Sequence, residues 1–278
     1  MATIAEPVIE RYERFSLYNS PYRAHESGCA VDLYPGADDA RSPVSGVVRD
    51  VRAVECPTQP CAAPKDYLLL VDCGAYTARI LHVEPTVEPG EEVAVGDRIG
   101  TLVRSGFFGE WVDNHIHLGL RDGDRNPYRA SGSMRLDVDA SVTGLTWDGR
   151  GTVVETGPRH VRLDSPTGAG RAGFTALADD GGVPLDGGLT HYAGGGTFTE
   201  ADGERSLLGT VVGTADGRNV SWNDIAVTVN GRRATGISLF AARVPFGVKL
   251  VFADGHGFAL GDDVTVGIEP AAEPIRLG

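Results

Sequence analysis

Lysine is nearly absent from this chain of 278 residues: only Lys65 and Lys249 occur, and the other 23 of the 25 basic residues are arginines. Acidic residues number 38, which gives a formal net charge of −13 at pH 7. A chain with this excess of carboxylates and no basic stripe is poorly suited to the phosphate backbone of nucleic acids. We therefore expect no nucleic-acid partner.

The same excess of acidic residues is typical of a halophilic cytoplasm. Carboxylates retain water at high ionic strength, and salt screens their mutual repulsion. A GC-rich genome, which replaces lysine by arginine without any adaptation to salt, is the plainer alternative. Both interpretations stay open.

Long apolar runs are also missing. No stretch of about 18 apolar residues occurs in the chain, so we expect no membrane span and no membrane partner. The first residues, MATIAEPVIERYERF, lack the basic start and apolar run of a secretory signal. The sequence predicts a cytoplasmic location.

Cysteine is scarce, and all four cysteines fall near the start of the chain: Cys29, Cys56, Cys61 and Cys73. The gap in CPTQPC, residues 56–61, is too long for a C-x-x-C redox or zinc motif. In a reducing cytoplasm we expect free thiols, with a loop disulfide between Cys56 and Cys61 as the alternative.

Glycine and proline are plentiful, with 38 and 16 residues spread along the chain, which is typical of short strands joined by turns. Val-rich or alternating segments predict strands at 44–54, 67–74, 76–85 and 115–123. After residue 133, Asp-Gly or Asn-Gly pairs favour hairpins at 148–149, 202–203, 216–217, 230–231 and 254–255. We predict an all-β fold with one domain at 1–133 and a second β-rich region of open role at 134–278.

Two short segments carry candidate metal ligands. HESGCAVD, residues 25–32, holds His25 and Asp32, and HIH, residues 115–117, holds two histidines. In a strand, His115 and His117 share one face, and we expect that face to be open because the alternating apolar residues enter the core. A catalytic zinc takes three protein ligands and leaves one position for water. The two segments supply that number and one further histidine, whereas ordinary hydrogen-bonded polar roles are the alternative.

These segments resemble the lysostaphin/LytM-type zinc metallopeptidases over about residues 20–130. The resemblance implies that His25, Asp32 and His117 bind Zn²⁺ and that His115 and His82 are catalytic. It also implies a duplicated hybrid motif, a small β-sandwich related to lipoyl and biotin carriers. Besides His25 and His82, the matching segments are DLYP (32–35), SPVSGVV (42–48), YLLLVDCG (67–74), YTARILHVEP (76–85), VEPGEEVAVGDRIG (87–100) and NHIHLGLRDGDRNP (114–127).

One spacing departs from that family. The first His and the Asp are usually four positions apart, whereas Asp32 follows His25 by seven and Cys29 stands at the fourth position. The pattern H-x-x-G-x-A-x-D is similar to that of the related D-Ala-D-Ala peptidase and hedgehog group, which is compatible with Asp32 as a ligand. Asp32 is favoured because DLYP resumes the family pattern, Cys29 is the alternative, and Glu26 would point away.

The resemblance implies a zinc-dependent peptidase acting on a peptide or another amide. A non-catalytic scaffold or partner-binding module on the same fold is the alternative. Bacterial cell-wall peptides, the common substrates of the family, do not suit a halophilic archaeal cytoplasm. In the second region, we expect surface or packing roles for His160, His191 and His256, and core positions for Trp147 and Trp222.

Overall fold

The computed structural model describes residues 1–168, 173–243 and 246–277, and strands dominate it. The predicted all-β class is confirmed. The two helices in the described part of the chain, α1 (Glu6–Ile9) and α2 (Arg23–Glu26), have four residues each. Neither they nor any other described segment forms a helix with the length and apolar character that a membrane crossing needs.

The described strands have the following bounds in chain order: β1 (Ala2–Ile4), β2 (Arg14–Ser16), β3 (Val31–Tyr34), β4 (Asp39–Arg41), β5 (Gly46–Glu55), β6 (Lys65–Asp72), β7 (Tyr76–Leu81), β8 (Val83–Pro85), β9 (Glu92–Val93), β10 (Arg98–Leu102), β11 (Ile116–Asp122), β12 (Leu136–Val138), β13 (Val142–Leu145), β14 (Arg150–Gly157), β15 (His160–Leu163), β16 (Phe174–Leu177), β17 (Leu185–Leu189), β18 (Gly194–Thr197), β19 (Gly203–Leu207), β20 (Thr210–Asp216), β21 (Asn219–Trp222), β22 (Ile225–Val229), β23 (Arg232–Ala234), β24 (Gly236–Leu239), β25 (Ala241–Ala242), β26 (Lys249–Val251) and β27 (Asp263–Pro270).

The chain divides into two compact units. The first comprises Met1–Phe15 and Arg23–Ala140, and the second comprises Ser16–Tyr22 and Ser141–Gly278. The sequence predicted a boundary between residues 133 and 134. The first unit extends past this predicted boundary to Ala140. It includes β12 because that strand pairs in parallel with β1, near the start of the chain.

In the first unit, β3, β11, β7, β6, β5 and β9 lie side by side in that order, and every neighbouring pair is antiparallel. A smaller sheet has the order β4, β10, β8. The predicted strands at 44–54, 67–74 and 115–123 correspond to β5, β6 and β11. The predicted strand at 76–85 is divided at His82 into β7 and β8, which belong to different sheets.

The second unit is built on a sheet with the order β19, β20, β21, β18, β17, β24, β26, β15, β14, β27, β22, β23. Trp147 and Trp222 lie in its hydrophobic core, as expected. The dipeptide Asn230-Gly231 joins β22 to β23 with positive φ at both residues, the conformation of a two-residue hairpin turn. Residues 216–217 likewise lie at the turn of a hairpin, between β20 and β21. The dipeptides at 148–149, 202–203 and 254–255 do not form hairpins, because the strands before and after each of them are not hydrogen-bonded to each other.

The segment Ser16–Tyr22 joins the second unit through a buried carboxylate. Asp186 on β17 accepts hydrogen bonds from Ser16 Oγ at 2.5 Å, from the Leu17 amide at 2.6 Å and from the Tyr18 amide at 3.2 Å. Bonds to an ionised acceptor are stronger than neutral ones, so one side chain can fix the segment. The residues from 16 to 22 carry no pattern that predicts this partner far along the chain.

His191 is fully buried in the second unit, in line with the packing role expected for it. Burial, assisted by the positive charge of Arg276, lowers the pKa of His191 to about 3. In an unfolded chain the pKa of a histidine is about 6.5. Between pH 6.5 and 3 the unfolded chain therefore binds a proton that the folded chain excludes, and the free energy of unfolding falls as the pH falls.

We predict that His191→Gln makes the stability less dependent on pH. This histidine contributes a loss of about 2 kcal/mol in the free energy of unfolding between pH 7 and pH 5. Urea unfolding of both proteins at pH 7, 6 and 5 measures the two slopes. Equal slopes would show that His191 takes up no extra proton on unfolding.

Candidate active site

The antiparallel pairing of β3 with β11 places Asp32 directly opposite His117. Side chains that are directly opposite in such a pair share one face of the sheet, with Cβ atoms about 4.5–5.5 Å apart. His117 Nδ1 accordingly lies 3.0 Å from Asp32 Oδ1. The neighbours of both residues are aliphatic side chains that are fully buried: Val31, Leu33, Ile116 and Leu118.

His25 reaches the same place from helix α2. Gly28 has a φ of +62°, and the amide of Cys29 donates to the carbonyl oxygen of Ala24 at 2.7 Å, so a left-handed glycine ends the helix and turns the chain towards β3. His25 Nε2 then lies 3.1 Å from His117 Nδ1 and 3.4 Å from Asp32 Oδ1. Helix α2, the turn at Gly28 and strand β3 thus place the side chains of His25 and Asp32 next to each other, although the two residues are seven positions apart in the chain.

Hydrogen bonds alone do not satisfy this triangle of atoms. If both rings donate to Asp32 Oδ1, the two nitrogens 3.1 Å apart both carry hydrogen and make no bond to each other. If His117 Nδ1 is bare, it faces the carboxylate with no hydrogen between them. Ligand atoms bonded to a tetrahedral zinc at about 2.0–2.1 Å lie about 3.3 Å from one another. The observed separations of 3.0, 3.1 and 3.4 Å fit one cation shared by all three.

The protonation states also suit a cation. Burial alone would raise the pKa of Asp32. At the acid pH where Asp32 would titrate, attraction to the protonated rings of His25 and His115 and hydrogen bonds from His117 and His25 outweigh burial and hold this pKa well below its usual range. Burial lowers the pKa of His117 to about 4, although Asp32 opposes the shift. An ionised carboxylate and a neutral imidazole are the forms that bind metals.

His115 lies beside this triangle, with Nε2 3.6 Å from Asp32 Oδ1. Its Nδ1–H donates to the carbonyl oxygen of Asp113 at 2.9 Å, so in the neutral ring Nε2 carries the lone pair. Burial lowers the pKa of His115 to about 4, which keeps the ring neutral at pH 7. His115 can therefore accept a proton on the side that faces the candidate metal position.

The prediction of an open face around both histidines is wrong for His115. Only 2% of His115 is exposed, and 13% of the His117 side chain. Further along the same face of β11, Arg121 is also buried and donates to the carbonyl oxygens of Ser131 and Arg129. The residues that follow β11 cover the face at Arg121, whereas the rings of Tyr34, His82 and Phe108 lie against His115. Alternation within the strand cannot reveal such long-range contacts.

His82 stands where β7 ends, with a φ of +67°, a conformation that costs energy for any residue except glycine. The centre of its ring lies 4.9 Å from that of His115 and 5.8 Å from that of His117. The structure therefore brings together all five of the predicted site residues.

Sequence reasoning missed two residues behind His82. Asp66 Oδ2 accepts hydrogen bonds from His82 Nδ1 at 2.5 Å and from Ser105 Oγ at 2.6 Å. Asp66 is fully buried near the start of β6, beside β7. A lone aspartate before an aliphatic run was the only available signal, and its partner depends on the strand order.

Aromatic rings form one wall of the site. The ring centre of Phe108 lies 4.6 Å from that of His115 and 5.1 Å from that of His82. The Arg104 guanidinium stacks on Phe108 and donates to the carbonyl oxygens of Gly109 and Val112, which fixes the loop that carries this ring.

A cavity of about 520 Å³ runs along the segments that lead away from Tyr34 and towards His115. Its lining is mixed in charge and polarity: Pro35, Gly36, Ala37, Asp38, Leu102, Arg104, Glu110, Val112, Asp113 and Asn114. Asp113 and Asn114 directly precede His115 in the chain, but none of the five predicted site residues lines this cavity.

Cys29 and Glu26 are outside the group of candidate ligands. Among the described residues, that group comprises His25, Asp32 and His117, whose ligand atoms all lie within 4.8 Å of one another. The Cys29 thiol instead lies 3.8 Å from the carbonyl oxygen of Ser27, and burial raises its pKa, which disfavours the thiolate that binds metals. The geometry favours Asp32 over Cys29.

We predict that Asp32→Ala abolishes tight zinc binding and that Cys29→Ala preserves it. Of these two residues, Asp32 provides an atom of the candidate ligand group and Cys29 does not. Titration calorimetry with Zn²⁺ on the metal-free proteins compares the two variants. His256→Ala, which changes a histidine of the second unit, is the control for non-specific effects. Loss of binding in Cys29→Ala with retention in Asp32→Ala would make the thiol the ligand.

Both units match profiles of one protein family. The family is described as a domain of unknown function, DUF8155; its N-terminal domain matches residues 3–138 and its C-terminal domain matches residues 143–269. Together the two matches span most of the chain, which therefore belongs to this family. No curated protein matches the chain.

Proposed function

We propose that the protein is a zinc-dependent metallopeptidase or amide hydrolase. The observation that carries the proposal is the buried triangle of His25, Asp32 and His117 with two more histidines beside it. Three protein ligands of this type are typical of a catalytic zinc site, whereas a structural zinc site usually has four. The resemblance of residues 20–130 to the lysostaphin/LytM-type peptidases supports the same assignment of the five residues.

Each candidate ligand has a defined role. His25 Nε2, Asp32 Oδ1 and His117 Nδ1 would hold the ion, and the carboxylate would reduce its net charge. When bound, zinc would polarise a substrate carbonyl and make a water molecule more acidic. The buried aliphatic neighbours on β3 and β11 keep the ligands in place.

The two remaining histidines would move protons. His115 Nε2 carries a lone pair beside Asp32 and would take the proton from the attacking water. His82 Nδ1 is bonded to Asp66, so Nε2 would be the atom that faces the substrate, and the imidazolium form would stabilise the developing oxyanion. Phe108 excludes water from one side of both rings, which strengthens these interactions.

The proposed substrate is a peptide or another amide, and we propose that part of it lies in the cavity lined by Asp113 and Asn114, the residues before His115. The cavity is open and carries carboxylates and one guanidinium, which suits a polar chain. We also propose that the protein acts in the cytoplasm without a nucleic-acid or membrane partner. The alternative function is a non-catalytic scaffold that has lost its metal. The hydrolase would bind zinc, whereas the scaffold would not.

We predict that His115→Ala retains zinc and loses turnover. General-base catalysis contributes a factor of about 100 to 10,000, so the rate should fall at least 100-fold. A quenched fluorescent peptide library measures hydrolysis, and atomic emission spectroscopy measures about one zinc per chain in wild type and variant. His256→Ala is the matched control and should keep both properties.

Two results would contradict the proposal. A wild-type protein that binds no zinc at micromolar concentration would favour the scaffold. A His115→Ala variant that hydrolyses peptides at the wild-type rate would remove the assigned base even if zinc is present.

A further inference from the structure

Asp66 is the most heavily bonded carboxylate near the site. Oδ1 accepts from the amide of Tyr67 at 2.6 Å and from the amide of His82 at 2.9 Å. Oδ2 accepts from His82 Nδ1 and from Ser105 Oγ. Asp66 is fully buried, so each of these bonds forms without competition from water.

The bonding pattern determines which nitrogen of His82 carries the hydrogen. An ionised carboxylate only accepts hydrogen bonds, so all four partners of Asp66 must donate. His82 Nδ1 is therefore protonated, and in the neutral ring Nε2 keeps the lone pair. Ser105 adds a donor to the same oxygen and prevents it from turning away from the ring.

The same carboxylate also holds the backbone of His82. The amide bonded to Asp66 Oδ1 belongs to the residue with the left-handed φ of +67°. A strained backbone persists only where its surroundings fix it. Asp66 thus holds His82 at two points, the main chain and the ring.

We propose that Asp66, supported by Ser105, is a positioning residue that fixes the orientation and the tautomer of His82. The catalytic consequence rests on the proposed hydrolase function, whereas the tautomer does not. His115 provides the contrast, because its Nδ1–H is held by a neutral carbonyl oxygen rather than by a carboxylate. The two catalytic histidines therefore have different supports and distinct roles.

The first test needs no substitution. In ¹⁵N-histidine-labelled protein containing zinc, the ring signals of His82, assigned from the spectrum of His82→Gln, should show the Nδ1–H tautomer at neutral pH. Observation of the Nε2–H tautomer in the wild-type protein would overturn the proposal. This result does not depend on any enzymatic activity.

The second test is Asp66→Asn, which keeps the shape of the side chain. If the amide oxygen stays with the two backbone amides, its NH₂ group faces His82 Nδ1 and forces the hydrogen onto Nε2. We expect the His82 signals to change to the other tautomer and zinc content to stay at the wild-type value. We expect kcat to fall, by up to about 100-fold with little change in KM, because the amide of Asn cannot stabilise the imidazolium form of His82 that would bind the oxyanion. Ser105→Ala should keep the tautomer and lose less activity, and Asp50→Asn, on the neighbouring strand, should change neither.

An Asp66→Asn protein that keeps both the Nδ1–H tautomer and the wild-type kcat would overturn the proposal. Failure of the hydrolase function has a different signature, because the tautomer would still depend on Asp66 while no variant, including the wild type, hydrolyses peptides. If Asp66→Asn does not fold, the wild-type tautomer and the Ser105→Ala spectrum decide the question.

Discussion

The register between β3 and β11 is the constraint on which the candidate site depends. A shift by one residue would turn Asp32 to the opposite face of the sheet, away from His117. The aliphatic residues flanking this pair are fully buried, and each stabilises the fold by about 1.5–3 kcal/mol when buried. A shifted register would expose several of them, so apolar packing holds the polar residues in position.

The polar cluster itself is costly for the fold. Three imidazoles and two carboxylates lie in the interior, and each loses its hydration there. Asp66 recovers this cost through four donors, whereas Asp32 is surrounded by imidazoles that cannot all satisfy it by hydrogen bonds. Such concentrations of buried ionisable groups are typical of functional sites rather than of structural cores. That contrast supports the proposal that a cation binds between His25, Asp32 and His117.

Most of the strands around this site were predictable, because alternation of apolar residues marks a strand whatever its partners are. The H-x-H motif gave the shared face of His115 and His117, and the family resemblance indicated His82. Burial of that face was not predictable, since His115 is covered by Tyr34 and Phe108 and Arg121 by the residues after β11, contacts that depend on how distant segments meet. Asp66 was missed for the same reason: its role depends on a strand order that no local pattern contains.

The division of the predicted strand 76–85 shows how such long-range contacts determine the site. An uninterrupted strand would direct the side chain of residue 82 according to alternation alone. Instead the His82 amide donates to Asp66, the backbone turns left-handed, and the chain leaves the sheet of β11 for the sheet of β10. The same sheet leads through β10 to Ser105, the second donor to Asp66 Oδ2. Asp66 thus holds His82 at the junction of the two sheets, beside the candidate ligands that β3 and β11 place opposite each other.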